Sequence, residues 1–159
     1  MTRVARLAAT TIVALIVILS LEGAQAVAAE GLITIKSSNG PEVTMNRFEA
    51  EVRNRGMTVF AHIDHAAGAA AASLALRPTD LLIFGNAKGG TPLMQDVQAI
   101  GIDLPLKVLV WQDASGVTWL SYNDPNWLAQ RHALDETTKA TIKTMLAALE
   151  AIASKATAP

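Results

Sequence analysis

Apolar residues recur along the chain at two spacings, and these predict strands and helices. Three segments are predicted to be strands. Apolar residues alternate with a period of two in "GLITIKS" (31–37), and continuous apolar runs form "MTVFAHI" (57–63) and "TDLLIFG" (79–85). The stretch "LPLKVLVWQDASGVTWLSYND" predicts a hairpin of two more strands, closed by the loop at residues 113–116. Counted outward from a pair of Asp113 with Val117, the register places Trp111 opposite Trp119.

Helices are predicted between and after these strands. The first covers residues 41–55, with Pro41 at its first position and Gly56 beyond its end. The alanine-rich segment 64–78 predicts a short helix capped by Asp64. A third helix, from Pro92 to about residue 100, has Thr91 as its predicted cap.

The C-terminal quarter predicts two further helices. A short one begins with Asp124 as cap and Pro125 in the first turn. A longer amphipathic helix follows from Asp135, because apolar residues recur there at spacings of three and four. Its tail, "SKATAP", is expected to fray. The elements alternate within a length that suits one domain of about 100 to 150 residues.

The N-terminus predicts a secretory signal peptide over residues 1–29. Arg3 and Arg6 precede a fifteen-residue apolar run (7–21), and small residues suited to signal peptidase follow at 24–29. The run is shorter than the ~20 residues that span a bilayer, and no cysteine follows it for a lipid anchor. We therefore expect cleavage, no stable membrane anchor afterwards, and a periplasmic or secreted protein.

Charge and cysteine content narrow the range of partners. Removing residues 1–29 takes away two arginines and one glutamate, which leaves 11 basic and 13 acidic side chains. A slightly acidic chain lacks the basic footprint that nucleic acids and anionic lipids require. The chain has no cysteine, so its stability has to come from the core without disulfides.

Four segments carry a family resemblance: "HIDHAAGA", "PTDLLIFGNAKGGTPLMQ", "GIDLPLKVLVWQD" and "WLSYNDPNWLAQRH". Together they resemble the bacterial domain-of-unknown-function 302 family (DUF302) from near residue 32 to residue 134. The resemblance implies an α+β domain over residues 30–134, an antiparallel sheet with helices on one face, and the order β-α-β-β-β-β-α with a topology similar to the TATA-binding protein. It also implies a homodimer, and no established activity. Residues 135–159 form a C-terminal helix and tail outside it.

The resemblance extends to individual positions. The family's recurring residues correspond here to Asp64, His65, Thr79, Phe84, Gly85, Asn86, Lys88, Thr91, Pro92, Lys107, Trp111, Tyr122, Asn123, Asp124, Pro125, Arg131 and His132. The chain departs from the commoner "GNPK" of the family at Ala87, which makes the turn before Lys88 less rigid.

The segment "FGNAKGGTPLM" predicts an anion site rather than a nucleotide-binding loop. A Walker loop needs its lysine after the second glycine, whereas Lys88 precedes Gly89 and Gly90. With Thr91 capping a helix that opens at Pro92, free N–H groups and Lys88 could hold a carboxylate or a phosphate. The alternative is a well-capped turn from strand to helix with no ligand.

Histidines suggest a second kind of site. His62 and His65 point to opposite faces if the strand continues past them, so they could bind one metal only if the strand ended at Asp64. His62 is not among the family's recurring positions, and the resemblance therefore makes His65 with His132 the more interesting pair. These two could bind a divalent metal or supply axial ligands to haem, but no C-x-x-C-H motif is present for covalent attachment. The alternative is that the histidines are solvated or serve as caps.

The third hypothesis is that the protein is a catalyst. Ser121, Asp124 and His132, or Asp64 with His65, contain the residue types of a hydrolase. No G-x-S-x-G elbow surrounds the serine, and no cysteine nucleophile exists. The sequence therefore favours a non-enzymatic module that binds a partner or a small anionic ligand, without a cofactor. The topology that the family resemblance implies would place the site in a cleft near Lys88, His65, Asp124 and His132. The predicted ligand-binding residues are Asp64, His65, Asn86, Lys88, Thr91, Asp124, Arg131 and His132.

Overall fold

The computed structural model describes residues 29–159. The predicted signal peptide lies, apart from Ala29, outside the described residues. The strands are β1 (Leu32–Lys36), β2 (Thr58–Asp64), β3 (Thr79–Gly85), β4 (Leu106–Gln112) and β5 (Thr118–Asn123), and the helices are α1 (Pro41–Asn54), α2 (His65–Ala71), α3 (Ala87–Asp96), α4 (Pro125–Arg131) and α5 (Lys139–Thr157). Within residues 29–159, no helix is both long enough and apolar enough to cross a bilayer.

The five strands form one antiparallel sheet in the order β1-β5-β4-β3-β2. The predicted α+β class with an antiparallel sheet is therefore confirmed. The predicted hairpin is confirmed as well, because Trp111 pairs with Trp119 and their rings stack with centroids 6.2 Å apart. The Asp113 backbone N–H donates to the Val117 carbonyl at 2.9 Å, which closes the loop as predicted.

The main core lies between one face of the sheet and helices α1 and α5. Alternate residues of the central strands, such as Phe84 and Val108, point toward the helices and are fully buried. Helix α1 contributes Phe48, whose ring meets that of Phe84 edge-on at 5.3 Å. A smaller cluster joins α3, α4 and α5 around Leu93 and Ile100.

Helix α5 is part of this core. The predicted boundary at residue 134 placed it outside the domain, yet Leu149 and Ile152 are buried in the main cluster. The expectation that "SKATAP" frays is wrong, because α5 continues to Thr157 and both Ala156 and Thr157 are buried. The Asn39 side chain also donates to the Ala158 carbonyl at 2.6 Å, which ties the end of the helix to the domain.

Helix α3 begins five residues earlier than predicted. Asn86 is the N-cap, and its side chain accepts a hydrogen bond from the Lys88 backbone N–H at 2.8 Å. Thr91 and Pro92 therefore lie inside the helix rather than at its start. Asn86 caps as well as a threonine does and comes first along the chain, and the buried Leu93 anchors the helix.

Candidate functional site

A cleft of about 700 Å³ opens at the end of the sheet where β3 finishes. Its walls are the turn before β2, the turn from β3 into α3, the segment before β4, and one side of α5. Most of the lining is apolar, with Phe84 and Leu149 continuous with the main core and Met94 and Leu104 with the smaller cluster. The volume falls within the range of small-molecule sites, about 300 to 1,000 Å³.

The charge of the cleft is one-sided. Arg55 and Lys88 line it, and the lining contains no aspartate or glutamate. Neither cation takes part in an ion pair with another described residue. Both lie at the same corner, because Arg55 comes shortly before Thr58, Lys88 shortly after Gly85, and Thr58 pairs with Gly85. The cleft is therefore apolar with positive charge at one corner.

Three of the predicted ligand-binding residues, Asn86, Lys88 and Thr91, line this cleft together. The predicted anion cradle at Thr91 does not exist in that form, because the helix starts at Ala87. The N–H groups of Gly89 and Gly90 donate to the Asn86 carbonyl, both at 3.0 Å, and the Asn86 side chain accepts from Lys88 N–H. These three N–H groups are already engaged, so the positive side chain of Lys88 is the stronger candidate for attracting an anion at the start of α3.

Asp64 and His65 lie elsewhere. Asp64 is the N-cap of α2 and accepts a hydrogen bond from the Ala67 backbone N–H at 2.8 Å. It pairs with Asp80 near the start of β3, whereas Lys88 follows the end of that strand. At roughly 3.3 Å per residue, the seven residues of β3 separate the two ends by about 20 Å. The predicted cleft near both His65 and Lys88 is therefore wrong.

His132 is held by Asp103, a residue that the sequence analysis did not single out. The His132 Nε2 lies 2.6 Å from Asp103 Oδ2, and both side chains are nearly buried. Arg131 lies 3.5 Å from the other oxygen of Asp103 and stacks over the Trp127 ring at 5.2 Å. The arrangement fastens the end of α4 to the segment before β4, and it lies outside the lining of the cleft.

The structure does not bring His65 and His132 together. His65 follows β2, whereas α4, which precedes His132, follows β5. Strands β2 and β5 are separated by β3 and β4, which is about 14 Å at roughly 4.8 Å per strand. Within residues 29–159, no group of three His, Cys, Asp or Glu side chains could hold a metal ion.

Ser121, Asp124 and His132, the residues considered for hydrolysis, do not form a catalytic triad, because each makes a separate structural contact. Ser121 is buried, and its Oγ accepts a hydrogen bond from Trp111 Nε1 at 3.0 Å and lies 2.9 Å from Thr34 Oγ1. Asp124 caps α4 by accepting from the Asn126 backbone N–H at 2.8 Å, as predicted for a cap. With His132 on Asp103, no serine–histidine hydrogen bond forms.

Among residues 29–159, two titratable groups have clearly shifted pKa values, and neither lines the cleft. The hydrogen bond from the Trp119 ring N–H, followed by that from the Val117 backbone N–H, lowers the pKa of Asp113. Burial raises the pKa of Tyr122, and the nearby charges of Glu150 and Asp124 raise it further. Both shifts follow from structural roles in the hairpin and in the core.

The residues that sequence reasoning missed come from segments distant from Lys88. The residue pattern predicts Arg55 at the end of a helix and Phe60 in a strand, yet both line the cleft. The only signal for Arg55 was its place next to Gly56, where a turn begins. Their shared site depends on the pairing of β2 with β3, which the residue pattern does not specify.

Curated relatives are similar in sequence to most of this chain. The fluoride-specific ion channel FluC 1 of Brucella suis biovar 1 is 49% identical over 116 residues, which cover 73% of this chain and 46% of that protein. The fluoride-specific ion channel FluC 2 of Brucella melitensis biotype 1 is 49% identical over 116 residues, 43% of its own length. The chain thus spans less than half the length of these relatives.

A crystal structure shares the fold of this chain, and a family model identifies its family. An uncharacterized conserved DUF302 protein from Bacillus stearothermophilus superposes with a TM-score of 0.71 at 21% identity, covering 80% of this chain and 99% of that one. The model of the domain of unknown function DUF302 matches residues 33–152, past residue 134 and well into α5. The chain therefore belongs to the DUF302 family.

Proposed function

We propose that this protein is a non-enzymatic binding module for a small molecule that combines an apolar body with a negative charge. The observation that supports this proposal best is the cleft itself: an apolar lining with Arg55 and Lys88 at one corner and no carboxylate. A neutral apolar ligand would not need the two cations. A small, fully hydrated anion would not benefit from the apolar lining.

The lining favours a ligand that is bulky rather than inorganic. Met57, Met94 and Met145 all line the cleft, and their flexible thioethers adapt to ligands of irregular shape. The lining offers the hydroxyls of Thr91, Thr141 and Thr144, but no histidine or carboxylate that could act as their general base. Binding without chemistry accounts for this set of groups.

Removal of either cation is expected to weaken anion binding. In Lys88→Ala and in Arg55→Ala, the dissociation constant for 8-anilinonaphthalene-1-sulfonate should rise about tenfold or more, since a hydrogen bond to a charged group is worth about 1.5–3 kcal/mol. Fluorescence titration measures it. The neutral analogue N-phenyl-1-naphthylamine should bind both variants as it binds the unaltered chain.

Lys36→Ala is the matched control, because Lys36 is an exposed cation on β1, outside the cleft. It removes one positive charge without touching the lining, so the affinity for the sulfonate should not change. Unchanged affinity in both the Lys88 and the Arg55 variants would rule out the cleft as an anion site.

A second candidate function concerns fluoride, because the Brucella relatives are named as fluoride-specific ion channels. An ion channel has to cross the membrane, and no helix in residues 29–159 could do so. We infer that the shared segment accompanies the pore in those proteins rather than forming it. In this candidate function, the chain assists such a channel.

The fluoride candidate can be measured in liposomes. A Brucella suis relative that lacks its matched segment is reconstituted, and fluoride efflux is followed with an ion-selective electrode. Adding the purified chain, from Glu30 onward, should change the efflux rate at least about twofold if the two act together. An equal rate with and without the chain would exclude this function.

Export and dimerisation, which no comparison addresses, stay predictions.

A further inference from the structure

One face of the sheet is apolar although α1 and α5 do not cover it. The main core lies on the other face, where residues such as Phe84 and Val108 meet the two helices. The strand register turns the residues that alternate with them to this second face, which we call the open face. Its large apolar side chains belong to neither core cluster of residues 29–159: Ile63, Leu81, Ile83, Leu109, Trp111 and Trp119.

This apolar character departs from the usual pattern of a sheet with one face in water. Such strands alternate apolar residues toward the core with polar residues toward solvent. Strands β3, β4 and β5 break the alternation, because Leu81, Leu109 and Trp119 occupy outward positions. Trp119 also stacks on Trp111, which pairs with it across the strands. The open face therefore has the composition of a surface that another apolar surface covers.

The polar atoms in the centre of the open face are already bonded to groups of the same chain. Trp111 Nε1 donates to Ser121 Oγ at 3.0 Å, and that hydroxyl lies 2.9 Å from Thr34 Oγ1. Trp119 Nε1 donates to Asp113 Oδ2 at 2.8 Å. Because these groups are paired, a polar partner would gain no hydrogen bond from them, whereas an apolar partner would leave all of these bonds intact.

The charges and the flatness of the open face argue against nucleic acid or lipid as its partner. Its outward strand positions hold two lysines, Lys36 on the edge strand β1 and Lys107, whose Nζ donates to the Asp103 and Pro105 carbonyls. Two cations at the margin are not the basic footprint that a polyanion requires. A lipid-binding surface inserts apolar side chains about 5–10 Å into the bilayer. Here Leu109 and its neighbours are partly buried against one another, so the face is flat.

We propose that the open face binds the open face of a second copy of this chain, so that the two sheets stack as in a β-sandwich. A pair related by a two-fold axis presents the same patch from both sides, and two apolar patches match without complementary charge. Flat antiparallel sheets stack at about 10 Å, with the inward side chains of both layers in contact.

The area of the open face suits a dimer. At about 4.8 Å per strand and about 3.3 Å per residue, five strands cover roughly 24 Å by 20 Å, or about 480 Å² in plan. The connection from α2 into β3 adds Leu74 and Leu76, which are 68% and 50% exposed. Because side chains project from the sheet, the accessible area exceeds the plan area, and the smaller specific interfaces bury about 600 Å² on each partner.

Sedimentation velocity of the chain from Glu30 onward, at about 1 to 100 µM, tests the proposal. The unaltered chain should form a dimer, and Leu109→Lys should raise the dissociation constant of the dimer at least about 100-fold, because a charge enters the contact from both copies. The matched control is Ile102→Lys. Ile102 is 75% exposed but lies in the segment Gln98–Ile102, outside the sheet, so its substitution should leave the dissociation constant unchanged.

Tryptophan fluorescence of the unaltered chain gives a second readout that needs no variant. Trp111 and Trp119 lie on the open face, whereas Trp127 lies on α4. Dilution from dimer to monomer should shift the emission to longer wavelength and increase quenching by acrylamide. A chain that stays monomeric throughout, or a dimer that Leu109→Lys and dilution leave with the same constant and the same emission, would overturn the proposal. Neither result would affect the cleft, whose lining contains none of these residues.

Discussion

A chain that ends after Leu134 is expected to lose cooperative folding, because helix α5 covers one side of the main core. Its buried residues in that core are Leu149, Ile152, Ala153 and Ala156. Each large apolar side chain that returns to water costs about 1.5–3 kcal/mol, and the sheet and α1 would expose matching area. The sum approaches the whole stability of a domain, about 5–15 kcal/mol.

The measurement is thermal unfolding followed by near-ultraviolet circular dichroism of the tryptophans. The chain of residues 30–134 should show a weak near-ultraviolet signal and no sigmoidal transition. A chain that lacks only Pro159 is the control, since Pro159 is exposed and the Ala158 carbonyl keeps its hydrogen bonds to Asn39 and Arg47. A cooperative transition in the shortened chain would show that α5 is dispensable to the domain.

Phe48→Ala is expected to lower the free energy of unfolding by about 3–5 kcal/mol, the usual cost of truncating a buried phenylalanine. Phe48 has no exposed surface, and its ring packs edge-on against that of Phe84, which is equally buried. The substitution therefore loses apolar burial and an aromatic pair, and it leaves a cavity between α1 and the sheet. Urea denaturation at equilibrium measures the difference.

Val43→Ala provides the comparison on the same helix, because Val43 is 46% exposed. Its effect should stay within about 0.5 kcal/mol, as for most surface substitutions. If Phe48→Ala cost less than about 1 kcal/mol, α1 would have to pack against the sheet more loosely than the complete burial of Phe48 indicates. The slope of free energy against urea should remain equal in both variants if the denatured state is unchanged.

The cleft depends on the same core. Phe84 and Leu149 belong both to the main cluster and to the lining, so the apolar wall of the site is an extension of the packed interior. Variants at these two positions would mix a loss of stability with a loss of binding. Lys88 and Arg55 separate the two effects better, because both cations are exposed.

Local chemistry explains both the correct and the wrong boundaries. Strand β3 begins and ends where the apolar run predicts, and the hairpin register follows from one loop with Gly116 at a positive φ. The start of α3 was missed because Asn86 and Thr91 can both cap a helix, and the modest preference for Asn over Thr does not decide between them. Packing of Leu93 into the smaller cluster, where it is fully buried, favours the longer helix even though Gly89 and Gly90 are poor helix formers.

The site shows the same division. Lys88 was predicted as a site residue because its own segment is a strand that turns into a helix, and a helix start beside a positive charge favours anions. Arg55 and Phe60 were not, since their place in the cleft depends on β2 lying beside β3. Asp103 binds His132, which was a predicted ligand-binding residue. The two residues are 29 positions apart in the chain, so no local pattern indicates that they meet.

By itself, the sequence determined the strands, most of the helices, the hairpin register and the family, because periodicity, caps and turns act over a few residues. Only the tertiary structure decided that α5 completes the core, that His65 and Lys88 lie at opposite ends of β3, and that Arg55 joins Lys88 at one corner of a cleft. These facts depend on the order β1-β5-β4-β3-β2, which is set by packing between residues far apart in the chain.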